Sequence, residues 1–335
     1  IVFPGTTTTY FVSVTDSVGC IGTDSAVVTI DTIPVIAMSN DTAICQGSCV
    51  TISATGGGTY TWTPSSSLND TTLASPTACP TATTTFYVTV GSATCTNNDS
   101  VTVTVNPPAT IVTNSDTSVC VGNCVQLNTT GGVSYQWTPS TGLSSDTIAN
   151  PLACPLVTTT YVVTGIDTNG CVGTDTVTIT INPLPTIDAG PDQSICNVGS
   201  VVIGGTPTGP VGSSYAWVPA VSLNDSTLAN PTASPTSTTT YTVTVTDTNG
   251  CQNTDVVTVT INSLPTADAG VDTTICEGET IQIGGAPTGP SGSSYLWTPS
   301  ATLDNDTASN PNATPTVTTE YIVTVTDSNG CVDMD

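Results

Sequence analysis

The chain repeats itself, and this repetition limits its possible folds more than any other feature of the sequence. The motif Y-x-W-x-P occurs four times and places tryptophans 75, 80 and 80 residues apart, at Trp62, Trp137, Trp217 and Trp297. A chain with a fixed internal period folds as successive copies of one structural unit. We therefore predict five units: a partial repeat at 1–31, followed by repeats that we name A (32–107), B (108–184), C (185–264) and D (265–335, lacking its last strand).

Within each repeat, apolar residues alternate with polar ones. In YTVTVTDTNGCQNTDVVTVTI (241–261), Tyr241, Val243 and Val245 share one side, and the threonines between them share the other. A period of two is typical of half-buried β-strands, and D-T-N-G between two such runs is typical of a hairpin turn. We therefore predict an all-β fold of tandem β-sandwiches, joined by proline-containing linkers at 181–186 and 261–266 into an extended, semi-rigid string.

The charge of the chain excludes several functions. It contains 25 acidic residues and no Lys, Arg or His, which gives a formal charge of −25. Such a surface repels nucleic acid. Catalysis by Ser/His/Asp, Cys/His or Schiff-base groups is impossible without the basic residues, and the few glutamates speak against a paired-carboxylate glycosidase. We predict that this segment is neither an enzyme nor a nucleic-acid-binding protein.

The cysteines of the chain indicate an extracellular location. The chain has 13 cysteines and no histidine, which favours disulfides over zinc sites. Disulfides persist in oxidising compartments. No stretch approaches the roughly 18–20 apolar residues of a membrane span, so we expect none in this segment.

The distribution of the cysteines predicts how they pair. Repeat C contains only Cys196 and Cys251, which must bond to each other if both are oxidised within the repeat. The equivalent positions then pair Cys45 with Cys95, Cys120 with Cys171, and Cys276 with Cys331. A bridge across about 50 residues contributes about 4 kcal/mol in the chain-entropy model, so we interpret these bridges as structural rather than redox-active.

A second pair of cysteines is present or absent as a set. Repeats A and B carry it, whereas Ser200 with Ser234, and Thr280 with Thr314, replace it in C and D. This joint occurrence predicts two further bridges, Cys49–Cys79 and Cys124–Cys154. Cys20 has no partner in the partial repeat, and both ends cut the repeat at nonequivalent points. We therefore expect the chain to be an excerpt of a longer repetitive molecule that supplies the partner of Cys20.

Several segments together resemble a known family. They are PTIDAGPDQSIC (185–196), PTADAGVDTTIC (265–276), the Y-x-W-x-P strand and the closing T-T-Y-x-V-T-V-T-D-x-N-G-C. These segments are similar to the PKD and related immunoglobulin-like repeats of secreted Bacteroidota proteins. The resemblance implies seven-stranded sandwiches, type IX secretion, and service as spacers in giant adhesins, surface filaments or secreted enzymes. Repeats A and B depart from the D-A-G-x-D opening, with VIAMSNDTAIC and TIVTNSDTSVC.

Recurring carboxylates in repeats C and D are candidate metal ligands. They lie at the repeat openings and in the D-x-N-G turns, at Asp188, Asp192, Asp247, Asp268, Asp272 and Asp327. Hard oxygen ligands of this kind suit Ca²⁺. The alternative interpretation is that Asp is simply a preferred turn residue.

The resemblance also implies O-glycosylation, because the Bacteroidota acceptor is Asp, then Ser or Thr, then a small or apolar residue. Matching positions are Ser17, Ser25, Thr32, Thr42, Thr71, Ser100, Thr147, Thr176, Ser226, Thr273 and Thr307. N-x-S/T sequons, including those at Asn40 and Asn69, are the weaker alternative. Glycans would also protect sheet edges, which are usually guarded by lysine.

The sequence therefore favours a structural role over a binding role. We interpret the one tryptophan per repeat as a core residue rather than a sugar platform. The first hypothesis is the shaft of a glycosylated surface filament or giant adhesin, whose partners are further copies of the repeat, with polysaccharide or surfaces as possible targets. The alternative is a set of carbohydrate-binding or spacer modules attached to a secreted enzyme.

Overall fold

The structure, a computed structural model, describes residues 1–92, 94–197 and 199–335. All of the regular structure in these ranges is β-strand, which confirms the all-β prediction. The chain divides into two compact blocks, Ile1–Ile181 and Asn182–Asp335. The finer boundaries of the five repeats stay a prediction, but each main sheet takes all of its strands from one repeat.

The partial repeat forms one hairpin, and repeats A and B form two layers each. The strands are β1 (Thr8–Thr15), β2 (Ile21–Val28), β3 (Ala37–Met38), β4 (Thr42–Cys45), β5 (Val50–Thr51), β6 (Ala54–Thr55), β7 (Thr59–Thr63), β8 (Thr77–Ala78), β9 (Thr84–Gly91), β10 (Thr96–Asn106), β11 (Thr117–Cys120), β12 (Val125–Gln126), β13 (Ser134–Thr138), β14 (Leu152–Ala153), β15 (Thr159–Ile166) and β16 (Val172–Asn182).

Repeats C and D follow the same plan. Their strands are β17 (Gln193–Cys196), β18 (Val201–Val202), β19 (Ser214–Val218), β20 (Thr232–Ala233), β21 (Thr239–Thr246), β22 (Gln252–Asn262), β23 (Ile281–Gln282), β24 (Ser294–Thr298), β25 (Asn312–Ala313), β26 (Ile322–Thr326) and β27 (Val332–Met334).

Each repeat is an immunoglobulin-like sandwich. The main sheets have the orders β4-β10-β9-β7, β11-β16-β15-β13 and β17-β22-β21-β19, and repeat D has β24-β26-β27. Two-stranded ladders such as β5-β8 and β18-β20 lie outside the main sheets. Most pairs are antiparallel, but the short first strand of the main sheet runs parallel to the long last strand, as β4 does with β10. This parallel pair determines where the cysteines lie.

The core of each repeat is built around its tryptophan, as the sequence predicts. The four tryptophans are at most 1% exposed, and each indole N–H donates to a loop carbonyl at 2.9–3.0 Å. In repeat C, Tyr241, Val243 and Val245 are fully buried on the side that the alternation predicts. Burial of the whole indole with its N–H satisfied makes the tryptophan a core residue and leaves no ring surface for a sugar.

The outer edge strand of each main sheet is covered by a loop. In repeat A, the backbone N–H of Trp62 on β7 donates to the carbonyl oxygen of Thr71 at 3.0 Å. The tryptophans of repeats B, C and D make the same bond to the loop residues Asp146, Ser226 and Asp306. The loop therefore occupies an edge that other sheets protect with lysine, which this chain lacks.

Candidate functional site: the disulfide joints between repeats

Two of the disulfides in the described part of the chain join consecutive repeats, and we call them the joint bridges. Cys45 of repeat A bonds to Cys171 of repeat B, with the Cα atoms 5.4 Å apart. Cys196 of repeat C bonds to Cys331 of repeat D, with the Cα atoms 5.5 Å apart. Both bridges have the same two components: the end of the short first strand of one main sheet and the hairpin turn before the last strand of the next repeat.

The strand directions explain why these cysteines bond across the joint. Cys45 ends β4 and lies beside Asn106, which ends the parallel strand β10. Cys95 precedes the first residue of β10, so it lies at the opposite end of this 11-residue strand. At about 3.3 Å per residue, roughly 35 Å separates the two ends, whereas a disulfide needs Cα atoms within about 7 Å. The predicted pair Cys45–Cys95 is therefore wrong.

The other predicted long-range pairs are also wrong, because one cysteine of each pair is bonded to a different residue. Cys171 is bonded to Cys45, which excludes the pair Cys120–Cys171. Cys196 is bonded to Cys331, which excludes both Cys196–Cys251 and Cys276–Cys331. Cys120 and Cys251 are also disulfide-bonded, whereas Cys20, Cys95 and Cys276 are free thiols in the described ranges.

The second bridge of repeats A and B is formed between the two cysteines that these repeats gain or lose as a set, as the sequence predicts. Cys49 bonds to Cys79, and Cys124 bonds to Cys154, both with Cα atoms 4.3 Å apart. The first of these bridges lies beside the β5-β8 ladder. At the equivalent place in repeat D, the hydroxyls of Thr280 and Thr314 are hydrogen-bonded at 2.9 Å.

An aspartate holds the turn that presents the second cysteine of each joint. In repeat B, one carboxylate oxygen of Asp167 accepts the N–H groups of Asn169 and Cys171, both at 2.8 Å. Asp327 does the same for Asn329 and Cys331 in repeat D. The bond from the cysteine N–H is the main reason that the pKa values of Asp167 and Asp327 lie below their ordinary range. The turn carboxylate thus fixes the backbone of the bonded cysteine.

In repeat A, the equivalent turn is held by a residue from the preceding segment. The turn before β10 has no aspartate of its own. Instead, the carboxylate of Asp31 accepts the hydroxyl of Ser92, and the N–H and hydroxyl of Thr94 at 2.8 and 3.0 Å. The Ser92 hydroxyl and then the Thr94 N–H lower the pKa of Asp31 to about 2. Nearby, the Asn97 side chain donates to the carbonyl of Pro34 at 2.9 Å.

Carboxylates among the six predicted metal ligands accept hydrogen bonds from backbone N–H groups. Asp192 accepts the N–H of Thr258 at 2.8 Å. Asp188 and Asp268 accept the N–H of the glycine two residues on, at 2.8 and 2.9 Å, and Asp247 and Asp327 hold hairpin turns. Asp272 has the same sequence position as Asp192. Within the described ranges, no three His, Cys, Asp or Glu side chains come together to hold a metal ion, and calcium binding stays a prediction.

The predicted glycan acceptors all lie at the surface. Eight of the eleven are exposed, and Thr42, Thr71 and Ser226 are half-buried. Ser100 and Thr176 lie at equivalent points of β10 and β16, with their side chains on the solvent side of the sheet. Their occupancy stays a prediction.

The comparisons with known proteins give a likeness to immunoglobulin-domain structures. No protein-family model and no curated protein matches the sequence. A three-domain titin fragment, an E-to-A variant, is 10% identical over 69% of this chain and 100% of its own length, with a TM-score of 0.38. The N-terminal eight domains of Down Syndrome Cell Adhesion Molecule are 12% identical over 98% of this chain and 57% of theirs, with a TM-score of 0.32.

A third similar structure comes from Drosophila. Extracellular domains 3–5 of OTK are 11% identical over 68% of this chain and 96% of theirs, with a TM-score of 0.29. Likenesses at these scores carry no functional argument, and the fold rests on the strand pairing described above. Of the described residues, none belongs to a helix long and apolar enough to span a membrane.

The Asp31 contacts give a test of how the segment before repeat A is held. Because the pKa of Asp31 in the folded chain is about 2 and lies below its ordinary value of 3.8, the carboxylate stabilises this contact above that value. The contribution is lost as the pH falls through about 2. We expect the Thr94 amide, which donates to Asp31, to lose its protection from hydrogen exchange in an Asp31→Ala variant at neutral pH.

The matched control is Asp24→Ala, because Asp24 accepts the N–H of its neighbour Ser25. We expect this variant to leave exchange at Thr94 unchanged. An Asp31 carboxyl that titrates at its ordinary value, measured by carbon-detected NMR, would contradict the assignment.

Proposed function

We propose that this segment is part of the shaft of an extracellular, glycosylated surface filament or giant adhesin. The observation that carries the proposal is the pair of bridges Cys45–Cys171 and Cys196–Cys331. Each bridge adds a second covalent connection between consecutive repeats, beside the backbone linker. Such reinforcement serves a chain of repeats that must hold together under load outside the cell, where disulfides persist.

The composition supports the same role. A charge of −25 with no cationic side chain keeps the chain soluble and opposes non-specific association with nucleic acid or with other acidic surfaces. It also leaves trypsin-like proteases no site to cut. The segments that resemble Bacteroidota repeats extend the proposal to a type IX-secreted protein, with further copies of the repeat as its partners in the same filament.

The alternative of carbohydrate-binding modules beside an enzyme has less support. A sugar-binding sheet face presents exposed aromatic rings in a row. The tyrosines and tryptophans of repeats C and D are buried or half-buried, namely Tyr215, Trp217, Tyr241, Tyr295, Trp297 and Tyr321. In repeat A, Tyr87 is 58% exposed, but the residues paired with it across the sheet are Thr63 and Ser100.

Immunogold electron microscopy tests the shaft directly. Antibodies raised against repeats C and D, applied to intact cells that make the protein, should label surface fibres along their length. Antibodies taken before immunisation are the control. Label that is confined to soluble secreted protein, together with co-purifying glycosidase activity, would contradict the shaft and favour the spacer beside an enzyme.

Two equivalent peptides provide an internal test of glycosylation. An Asp-specific protease releases DTVTITINPLPTI (175–187), which contains the acceptor Thr176, and DVVTVTINSLPTA (255–267), in which Val256 replaces that acceptor. In protein isolated from its native cells, we expect only the first peptide to be heavier than its sequence mass, by whole sugar units. An unmodified first peptide, or equal modification of both, would contradict acceptor-specific glycosylation.

A further inference from the structure

We infer that the joint bridges carry tension along this chain by a covalent path that bypasses most of the folded sandwich residues. The Cys45–Cys171 bridge closes a loop that contains residues 46–170. The Cys196–Cys331 bridge closes a second loop that contains residues 197–330. Residues inside a closed loop are not on the shortest covalent route between its ends, so a force on the chain cannot draw them out.

The covalent path is short. Cys45 and Cys331 are 286 residues apart in sequence. The two bridges enclose 126 and 135 of these residue steps, which leaves only the 25 steps from Cys171 to Cys196 on the path. At about 3.6 Å per residue, a fully stretched path of 25 residues is roughly 90 Å long, against roughly 1,000 Å for the chain without bridges. Cys120 and Cys251 are also disulfide-bonded, which cannot lengthen this path.

Fifteen residues of the 25-residue path are in strand conformation in the folded chain. The path begins with β16 (Val172–Asn182), whose 11 residues are in strand conformation, and ends with the four residues of β17 (Gln193–Cys196). The segment between these strands, 183–192, contains Pro183, Pro185 and Pro191. A strand residue already spans about 3.3 Å, so these two strands gain little length when they are fully stretched.

This connectivity separates the unfolding of a domain from the lengthening of the chain. These two events normally coincide in a tandem-domain protein. When a domain without such bridges unfolds under load, all of its residues become available for extension. Here, loss of packing in repeat A, B, C or D does not release the residues of that repeat that lie inside a loop. The bridges therefore limit the length to which the segment can be stretched, and this holds whether it serves as a shaft or as a spacer.

Stretching of the oxidised chain in optical tweezers tests this inference. The full chain is held by peptide-tag handles at both ends, after the free thiols at Cys20, Cys95 and Cys276 have been alkylated. The tails outside the bridges add 44 residues before Cys45 and four after Cys331. The expected limit is roughly 270 Å for the oxidised chain and roughly 1,200 Å after reduction, at about 3.6 Å per residue.

Two double variants sharpen the experiment. Cys49→Ser with Cys79→Ser removes a bridge inside the loop that Cys45–Cys171 closes, so the limit should not change. Cys45→Ser with Cys171→Ser removes a joint bridge, so the limit should rise by several hundred ångström, because at least about 100 more residues join the path. The limit depends on covalent connectivity alone, so each variant is stretched in guanidinium after peptide mapping has shown that its remaining bridges are the native ones.

An oxidised chain that extends to roughly 1,200 Å would overturn the inference. A limit near roughly 440 Å would also overturn it, because that length corresponds to bridges that close within each repeat. An unchanged limit in the Cys45→Ser, Cys171→Ser variant would show that this bridge does not carry the load.

Discussion

The parallel pairing of a short early strand with the last strand of the main sheet, seen in repeats A and C, is the constraint on which the rest of the structure depends. It brings the end of β4, and with it Cys45, to the place where the chain leaves repeat A, beside Asn106. The hairpin turn that carries the other cysteine lies at the opposite end of the last strand. The cysteine at the end of the short strand can therefore bond to the following repeat, and the cysteine of the hairpin turn to the preceding repeat, as Cys45 and Cys171 do. Covalent continuity along the chain follows from strand direction.

The repeats differ in the contacts that support them outside the main sheet. Repeats A and B use a second bridge beside a two-stranded ladder. In repeat C, the carboxyl group of Asp188 lies so close to Gly205 that a Cβ at that glycine would be 2.5 Å from the carboxyl carbon. The buried hydroxyl of Thr208 and the side chain of Asn230 both bond to the carbonyl of Gly205. Repeat C thus has a polar network of its own, at a different place from the second bridge of repeats A and B, in a domain too small to depend on a large core.

The sequence predicts the features that depend on local pattern. Alternation identifies the strands and the buried face that Tyr241 and Val243 share, and joint occurrence identifies the bridge Cys49–Cys79. The joint bridges were missed because, in a repeated chain, Cys95 and Cys171 occupy the same position in successive repeats, so spacing alone cannot tell which of them bonds to Cys45. Only the direction of β4 relative to β10 decides between them. The bond between Asp31 and Thr94 was missed because residues 63 apart carry no shared signal.

Mapping of the disulfides in the intact chain tests the central claim most directly. After alkylation of free thiols, an Asp-specific protease produces the peptide 167–174, which contains Cys171 as its one cysteine. The structure predicts that this peptide is bonded to peptide 41–69, which carries Cys45 and Cys49. A bond to peptide 116–145, which carries Cys120 and Cys124, would mean that the bridge closes within repeat B and would contradict the account of covalent joints between repeats.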